Sequence, residues 1–150
     1  MTLGSRIITE NLFALQCTAN NWQEAVKLGC TLLEEKEYIT ADYYQGILNV
    51  VAEHGPYFVI LPGIAMPHAR PEAGALKTGC SLVILKEPVD FGHENNGPVS
   101  ILFTMAAKST EEINEGILIE IMELLDDDNV IERLRQVKNA EDLKSVFGKF

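Results

Sequence analysis

Long hydrophobic runs are missing from this chain: its most extended apolar stretches, residues 57–61 and 99–107, fall well short of the roughly 20 residues a membrane-crossing helix needs. No part of it is expected to insert into a bilayer. The N-terminus, where Arg6 and Glu10 interrupt the apolar residues, lacks the continuous hydrophobic core of a secretion signal. Positive charge is scarce too, with 12 Lys and Arg against 22 Asp and Glu, a formal net charge of -10 and an isoelectric point near 4.7. Such acidity argues against nucleic acid or an anionic membrane as partner, since both demand a basic face. It suits a basic protein partner, although acidity alone is more often a matter of solubility. Cysteine is sparse and odd in number: Cys17, Cys30 and Cys80 are widely spaced, in apolar neighbourhoods, with no C-x-x-C pair. That pattern implies a reducing compartment and core thiols rather than a disulfide frame or a zinc site, and a cytoplasmic location is expected. Neither internal repeats nor low-complexity segments occur. A chain of 150 residues makes one domain, 1–150, large enough to bury most of its apolar surface without covalent staples.

Apolar spacing divides what is there into interleaved helices and strands. Residues 1–19 predict a short helix and then a strand at 13–17. Asn21 followed by Glu24 has the reciprocal capping spacing, and Trp22, Ala25, Val26, Gly29, Leu32 and Leu33 then recur at helical intervals, so a helix is expected to about Glu37. Thr40 is the candidate cap of a second helix striped by Tyr43, Tyr44, Ile47, Leu48, Val50 and Val51, which Gly55-Pro56 ends. Buried strands are expected at 57–61, at 78–86, where Lys86-Glu87-Pro88 breaks the run, and at 99–105 after an exposed, turn-rich loop. Thr110 is not part of a capping box, but Glu111 and Glu112 suit the positive end of a helix dipole. Ile113, Ile117, Ile121 and Leu124 hold one face of that helix, with Leu118, Met122 and Leu125 beside it. Asp126, Asp127 and Asp128 link to and cap a short helix at 130–136, and Asn139 introduces a last one at 141–147. The fold expected is an α/β single-domain sandwich with a mixed, mostly parallel sheet flanked by helices.

One stretch invites chemistry: Pro62-Gly63-Ile64-Ala65-Met66-Pro67-His68-Ala69-Arg70, directly after the apolar run 57–61 and before Pro71-Glu72. A run that stops at Pro-Gly reads as a strand emerging at a sheet edge, which puts His68 in a loop. Pro67 fixes its own φ and biases Met66 towards extended geometry, so the imidazole is delivered by a stiff backbone. In an extended segment Arg70 shares a face with His68, and a guanidinium fork matches phosphate oxygens. On the residues alone, a solvated loop histidine beside a surface arginine is an equal reading. His54, just before Gly55-Pro56, reads most simply as a helix-end residue, and His93, in the loop Gly92-His93-Glu94-Asn95-Asn96, as a solvated one.

The segment from Gly55-Pro56-Tyr57-Phe58-Val59 through Met66-Pro67-His68-Ala69-Arg70-Pro71-Glu72, with Lys77-Thr78-Gly79 after it, resembles the IIA component of the bacterial sugar phosphotransferase system. The likeness is to the mannitol/fructose class, the type-2 EIIA domain, and within it to the ascorbate-specific branch; it runs roughly from Trp22 to Phe147. The resemblance implies a cytoplasmic phosphotransferase. In that family the motif histidine, here His68, takes a phosphoryl group on its ε nitrogen from the carrier protein HPr and passes it to a cysteine of an EIIB partner. No metal or cofactor is expected, since phosphohistidine is a transfer link. Relatives of the mannitol type carry an arginine near the end of the second helix, which makes His54 a candidate second donor to the phosphoryl group. They also carry a second histidine early in the helix after the third strand, where this chain has Ile113 and Asn114. Asn114 and His54 are its candidate substitutes, alongside Arg70, as phosphate-stabilising residues. Ile64, Met66 and exposed residues of the 113–125 helix are expected to supply apolar docking surface.

Three functions compete at this stage. The first is the phosphorelay component, phospho-HPr to His68 to EIIB, serving uptake of a carbohydrate such as ascorbate. The second is a regulatory module whose phosphorylation state controls a partner protein. The third, a metal hydrolase using His54, His68 and His93, lacks any compact ligand spacing. A homodimer stays open.

Overall fold

The computed structural model describes residues 2–147. Helix α1 (Leu3–Thr9) leads into strand β1 (Phe13–Cys17), followed by α2 (Trp22–Glu35) and α3 (Asp42–His54). Two short strands, β2 (Val59–Leu61) and β3 (Ile64–Ala65), then precede two long ones, β4 (Gly79–Val89) and β5 (Val99–Ala106). Beyond β5 come α4 (Thr110–Glu112), a π-helical segment Ile113–Ile117, α5 (Leu118–Leu124), α6 (Asp128–Arg135) and α7 (Ala140–Phe147).

The five strands form one sheet in the order β1-β4-β5-β3-β2. Side chains alternate across it. Leu82, Ile84, Ile101, Phe103 and Met105 join a core with α1 and the helices after β5. Val83, Leu85, Leu102 and Ala106 join a second core with α2 and α3. Helices thus cover both faces of a mixed sheet, as expected. The balance differs from "mostly parallel": β1 with β4 and β3 with β5 run parallel, while β4 with β5 and β2 with β3 run antiparallel. The long β4–β5 ladder reads as two buried apolar runs whichever way it is paired, so direction left no mark on the pattern.

Several boundaries move for identifiable reasons. Helix α2 stops at Glu35 rather than Glu37 because Glu37 takes a φ of 62°. That turn lets the Tyr38 N–H reach Leu33 O at 2.9 Å and the Glu37 N–H reach Glu34 O at 3.0 Å, a Schellman closure without glycine. Thr40 does not cap α3; Ala41 holds that position with no side-chain bond. Strand β4 continues through Lys86, Glu87 and Pro88, which lie exposed where its register with β5 slips between Ile84 and Val89, a place that tolerates proline's missing N–H. Ser109, not Thr110, begins the helical stretch after β5, its Oγ accepting from the Glu112 N–H at 3.2 Å. Leu125, not Leu124, completes the buried face with Ile113, Ile117 and Ile121. Asn21, Asp127 and Asn139 cap as expected.

Helix α2 lands on the sheet at Gly29, above the buried cross-strand pair Ser81 and Thr104. Ser81 Oγ donates to Gly29 O at 2.9 Å, while Thr104 Oγ1 has no hydrogen-bond partner. A Cβ on Gly29 would collide with Thr104 Oγ1 and stand 3.1 Å from Ser81 Oγ. Alanine in a helix interior ordinarily gains about 1 kcal/mol over glycine. Overpacking a rigid site costs about 1–3 kcal/mol, and a buried β-branched neighbour has no free rotamer to yield. Gly29→Ala should therefore lower stability, by up to about 2 kcal/mol, as a reduced urea midpoint with unchanged slope.

Candidate active site

The site begins with the β2–β3 hairpin at the sheet edge. Gly63, at φ 77°, turns the chain, and β3 slots in parallel to β5. The reading of residues 62–70 as one loop is thereby corrected: Ile64 and Ala65 are a strand, fully buried, and the loop proper starts at Met66. Chain leaving β3 emerges beside the end of β5. Sheets of this kind commonly offer ligands the carboxyl ends of their strands.

Each residue of the loop is then tied down. The Met66 N–H donates to Phe58 O at 2.8 Å, and Pro67 O accepts from the Met105 N–H at 2.9 Å. His68 O accepts from the Tyr57 hydroxyl. The Ala69 N–H donates to Tyr43 Oη at 3.0 Å, whose own hydrogen reaches Met105 O at 2.8 Å. Helix α3 approaches this loop at Gly46, where a Cβ would stand 2.6 Å from Ala73 Cβ and 3.4 Å from Ala69 Cβ.

On this frame the His68 ring sits half-buried, with Nδ1 2.9 Å from Met66 O. A carbonyl only accepts, so the neutral ring carries its proton on Nδ1 and keeps its lone pair on Nε2. Burial pushes the His68 pKa below its ordinary value, opposed in part by the Met66 carbonyl, which favours the charged ring. The Tyr57 ring stands edge-on to the imidazole, centroids 5.4 Å apart at 74°.

His68 lines an open cleft of about 780 Å³. Val50, Glu53 and His54 come from the end of α3, Arg70 and Glu72 from the loop, and Thr110, Ile113 and Asn114 from the helical stretch after β5. That stretch is anchored by Thr78, whose Oγ1 donates to Glu112 Oε2 at 2.8 Å. The structure thus gathers His68, Arg70, His54 and Asn114 around one cavity. Arg70 is exposed. His54 lies 3.6 Å from Glu53 Oε2 and is mostly exposed; α3 is closed by the Gly55 N–H to Val51 O, not by the histidine. His93 does not line the cleft. Its Nδ1 accepts from the N–H groups of Asn95 at 3.2 Å and Asn96 at 3.0 Å, a turn-forming role. Among the described residues no group of His, Cys, Asp and Glu stands close enough to hold a metal ion.

Two expectations about the surface need correcting. Ile64 and Met66 are fully buried and offer no docking surface, whereas Ile119 and Met122 of α5 are exposed. Of the three cysteines, Cys30 and Cys80 are buried and Cys17 only partly so. Sequence reasoning missed Tyr57, Tyr43 and Gly46. The two tyrosines sat among apolar residues and read as core. Gly46 did carry a signal, since a glycine inside a helix is unfavourable unless something approaches closely.

Comparisons with known proteins converge. The family described as phosphoenolpyruvate-dependent sugar phosphotransferase system, EIIA 2, matches residues 6–149. The ascorbate-specific PTS system EIIA component of Salmonella choleraesuis is 47% identical over 95% of this chain and 93% of its own length. A solved structure assigned to a PTS IIA, PtxA, of Streptococcus mutans superposes with a TM-score of 0.90 at 37% identity, covering 98% of this chain and 93% of that one. The Escherichia coli complex of enzyme IIA for mannitol with phosphorylated enzyme IIB is similar with a TM-score of 0.80 at 26% identity, over 91% and 93% of the two chains.

The two loop histidines should show opposite tautomers in ¹⁵N-edited NMR, His68 protonated on Nδ1 and His93 on Nε2. His68 should titrate below the ordinary value of about 6.5. Its folded pKa is lowered, so the unfolded chain binds the proton first as pH falls. This group's effect on stability is absent above about pH 6.5 and becomes a loss as pH drops towards the folded pKa. A His68 spectrum with Nε2 protonated would contradict the geometry.

Proposed function

The chain belongs to the EIIA 2 family of the phosphoenolpyruvate-dependent sugar phosphotransferase system, and from that membership we propose that His68 is its phosphoryl acceptor. The chain is a phosphotransferase component, and its partners are phospho-HPr as donor and an EIIB protein as acceptor. The observation that carries the assignment is the bond between Nδ1 and Met66 O, which leaves Nε2 as the unshared lone pair of a ring that lines the cleft.

Transfer on this geometry moves no proton. As the neutral Nε2 attacks phosphorus in line, the bond from phosphorus to the donor breaks and the bond to Nε2 forms. The hydrogen on Nδ1 stays where it is, and the positive charge growing on the ring is met by the Met66 carbonyl dipole. When the EIIB cysteine thiolate attacks in turn, the N–P bond breaks and the neutral ring returns. Arg70 faces the equatorial phosphoryl oxygens, with His54 and Asn114 as further donors from the opposite walls.

The exposed side of the chain from 109 to 128 carries Glu111, Glu112, Glu115, Glu120, Glu123, Asp126 and Asp127 with no Lys or Arg. Together with Ile119 and Met122 it suits a basic partner with an apolar centre. The carbohydrate served is ascorbate or a close relative, by likeness to the ascorbate-specific components. We place the protein in the cytoplasm, where phospho-HPr is found; no helix among the described residues is long and apolar enough to cross a membrane. Residues 1–150 are taken as a single type-2 EIIA domain, Met1 and residues 148–150 lying outside the described part. The regulatory alternative has no observation of its own in the cleft.

Incubation with phosphoenolpyruvate, enzyme I and HPr, followed by intact mass and mapping of acid-labile phosphate, tests the assignment. One phosphoryl group should be added, and none in His68→Ala. Arg70→Ala should keep the fold and slow transfer about 10- to 100-fold, short of the ~10²–10³ of an enclosed oxyanion donor because its guanidinium is exposed to solvent. Label on His93 or His54 in the unaltered protein would overturn the site.

A further inference from the structure

We infer that Tyr57 is a positioning residue for phosphoryl transfer, its hydroxyl holding the main chain of His68 and its ring walling one flank of the imidazole. The inference rests on His68 being the acceptor. Among the described residues, the bond from the Tyr57 hydroxyl to His68 O is the only hydrogen bond made by the His68 main chain. The other bond of this residue, Nδ1 to Met66 O, runs between two residues of the same loop. It sets the ring relative to the loop but does not hold the His68 main chain itself. The loop is fixed on either side at Met66, Pro67 and Ala69, and Tyr57 adds, from outside the loop, the one tie at His68 between them. Its own N–H reaches Gly55 O at 2.8 Å in the turn that ends α3, so its backbone is fixed independently of the loop.

The phenol is built to stay a donor. Although the residue as a whole is 38% exposed, desolvation pushes its pKa up to about 12, and it remains protonated wherever the protein works. Its ring packs against Phe58, centroids 5.1 Å apart, and also meets the His68 imidazole edge-on. The remaining ionisable groups around the imidazole are Glu53 and His54 on α3 and Arg70 and Glu72 on the loop; the cleft residues after β5 are uncharged. Burial is the leading reason the imidazole resists protonation, and the tyrosine ring supplies one of the surfaces that exclude water. Hydroxyl and ring therefore do separable jobs, orientation and dryness.

Two substitutions separate them, read by rapid-quench transfer from phospho-HPr and by NMR titration of His68. Tyr57→Phe keeps the ring and removes the donor. The transfer rate at saturating phospho-HPr should fall about 3- to 10-fold, with KM for the carrier and the His68 titration midpoint both unchanged. Tyr57→Leu removes the aromatic wall as well. The rate should fall further and the His68 midpoint should rise towards the ordinary value of about 6.5. Either variant suffices if the other fails to fold. A Tyr57→Phe protein, or a Tyr57→Leu protein with an unmoved His68 midpoint, that transfers at the unaltered rate under saturation overturns the proposal. So does a loss confined to KM, which would make Tyr57 a docking residue. Retained labelling in His68→Ala would instead remove the acceptor assignment, an outcome these rates cannot mimic.

Discussion

The hydrogen bond from the Nδ1–H of His68 to the carbonyl of Met66 reaches back only two residues, and it holds only while the backbone between them stays in one conformation. Pro67 restricts that backbone from within. The sheet restricts it from without, through Met66 N–H on Phe58 O and Pro67 O on the Met105 N–H. Everything the cleft does follows from this local loop. Were it free to turn, the imidazole would exchange tautomers and either nitrogen would face the donor. Held, it offers one lone pair in one direction.

The two cores explain why such a loop stays in place. Met66 and Met105 belong to one, Phe58 and Ala69 to the other, so the motif is wedged across the sheet edge with buried side chains on both faces. Tyr43 spans the gap, buried yet with its hydroxyl bonded to both the loop and β5. Gly46 lets α3 come close enough for that hydroxyl to reach. Residues outside the cleft lining thereby set the position of His68 within it. A cleft built on strands and helix ends is more exact than one built on free loops.

Part of this was legible from residue types alone. Alternation and helical spacing located nearly every element, because burial on one face writes a period into the chain. The motif Met66-Pro67-His68-Ala69-Arg70 drew attention through its stiff proline and its imidazole and guanidinium, but on the residues alone a solvated loop histidine stood equal with it, and the resemblance to the family tipped the reading. Strand direction was not legible, nor was the insertion of Ile64-Ala65 between β2 and β5, because a two-residue strand has no period to show. Tyr57 and Tyr43 escaped notice for another reason: a tyrosine's ring advertises a core position, and what its hydroxyl meets, 11 residues away for Tyr57 and 26 for Tyr43, is set only by the fold. The apolar character of Ile64 and Met66 was read as docking surface when it is the anchor of the loop.

The absence of a second histidine at Ile113 and Asn114 bears on how little this chemistry asks of its surroundings. Ile113 is 4% exposed and serves as the first buried contact of the π-helical segment, leaving exposed Asn114 on the cleft wall as an uncharged donor. A partner base would be required if a proton had to leave the ring during attack; in the transfer proposed above, Nδ1 keeps its hydrogen. What remains is charge, and here the one cation of the cleft among the described residues, Arg70, stands with two carboxylates, Glu53 and Glu72. Binding the phosphoryl group strongly would lower the energy of the phosphorylated state along with the transition state, and so slow the onward step. A relay works best when its intermediate is neither trapped nor strained. On the assignment proposed above, one arginine among carboxylates, in the same cleft as an imidazole held by a carbonyl, meets that requirement more closely than a second cationic side chain would.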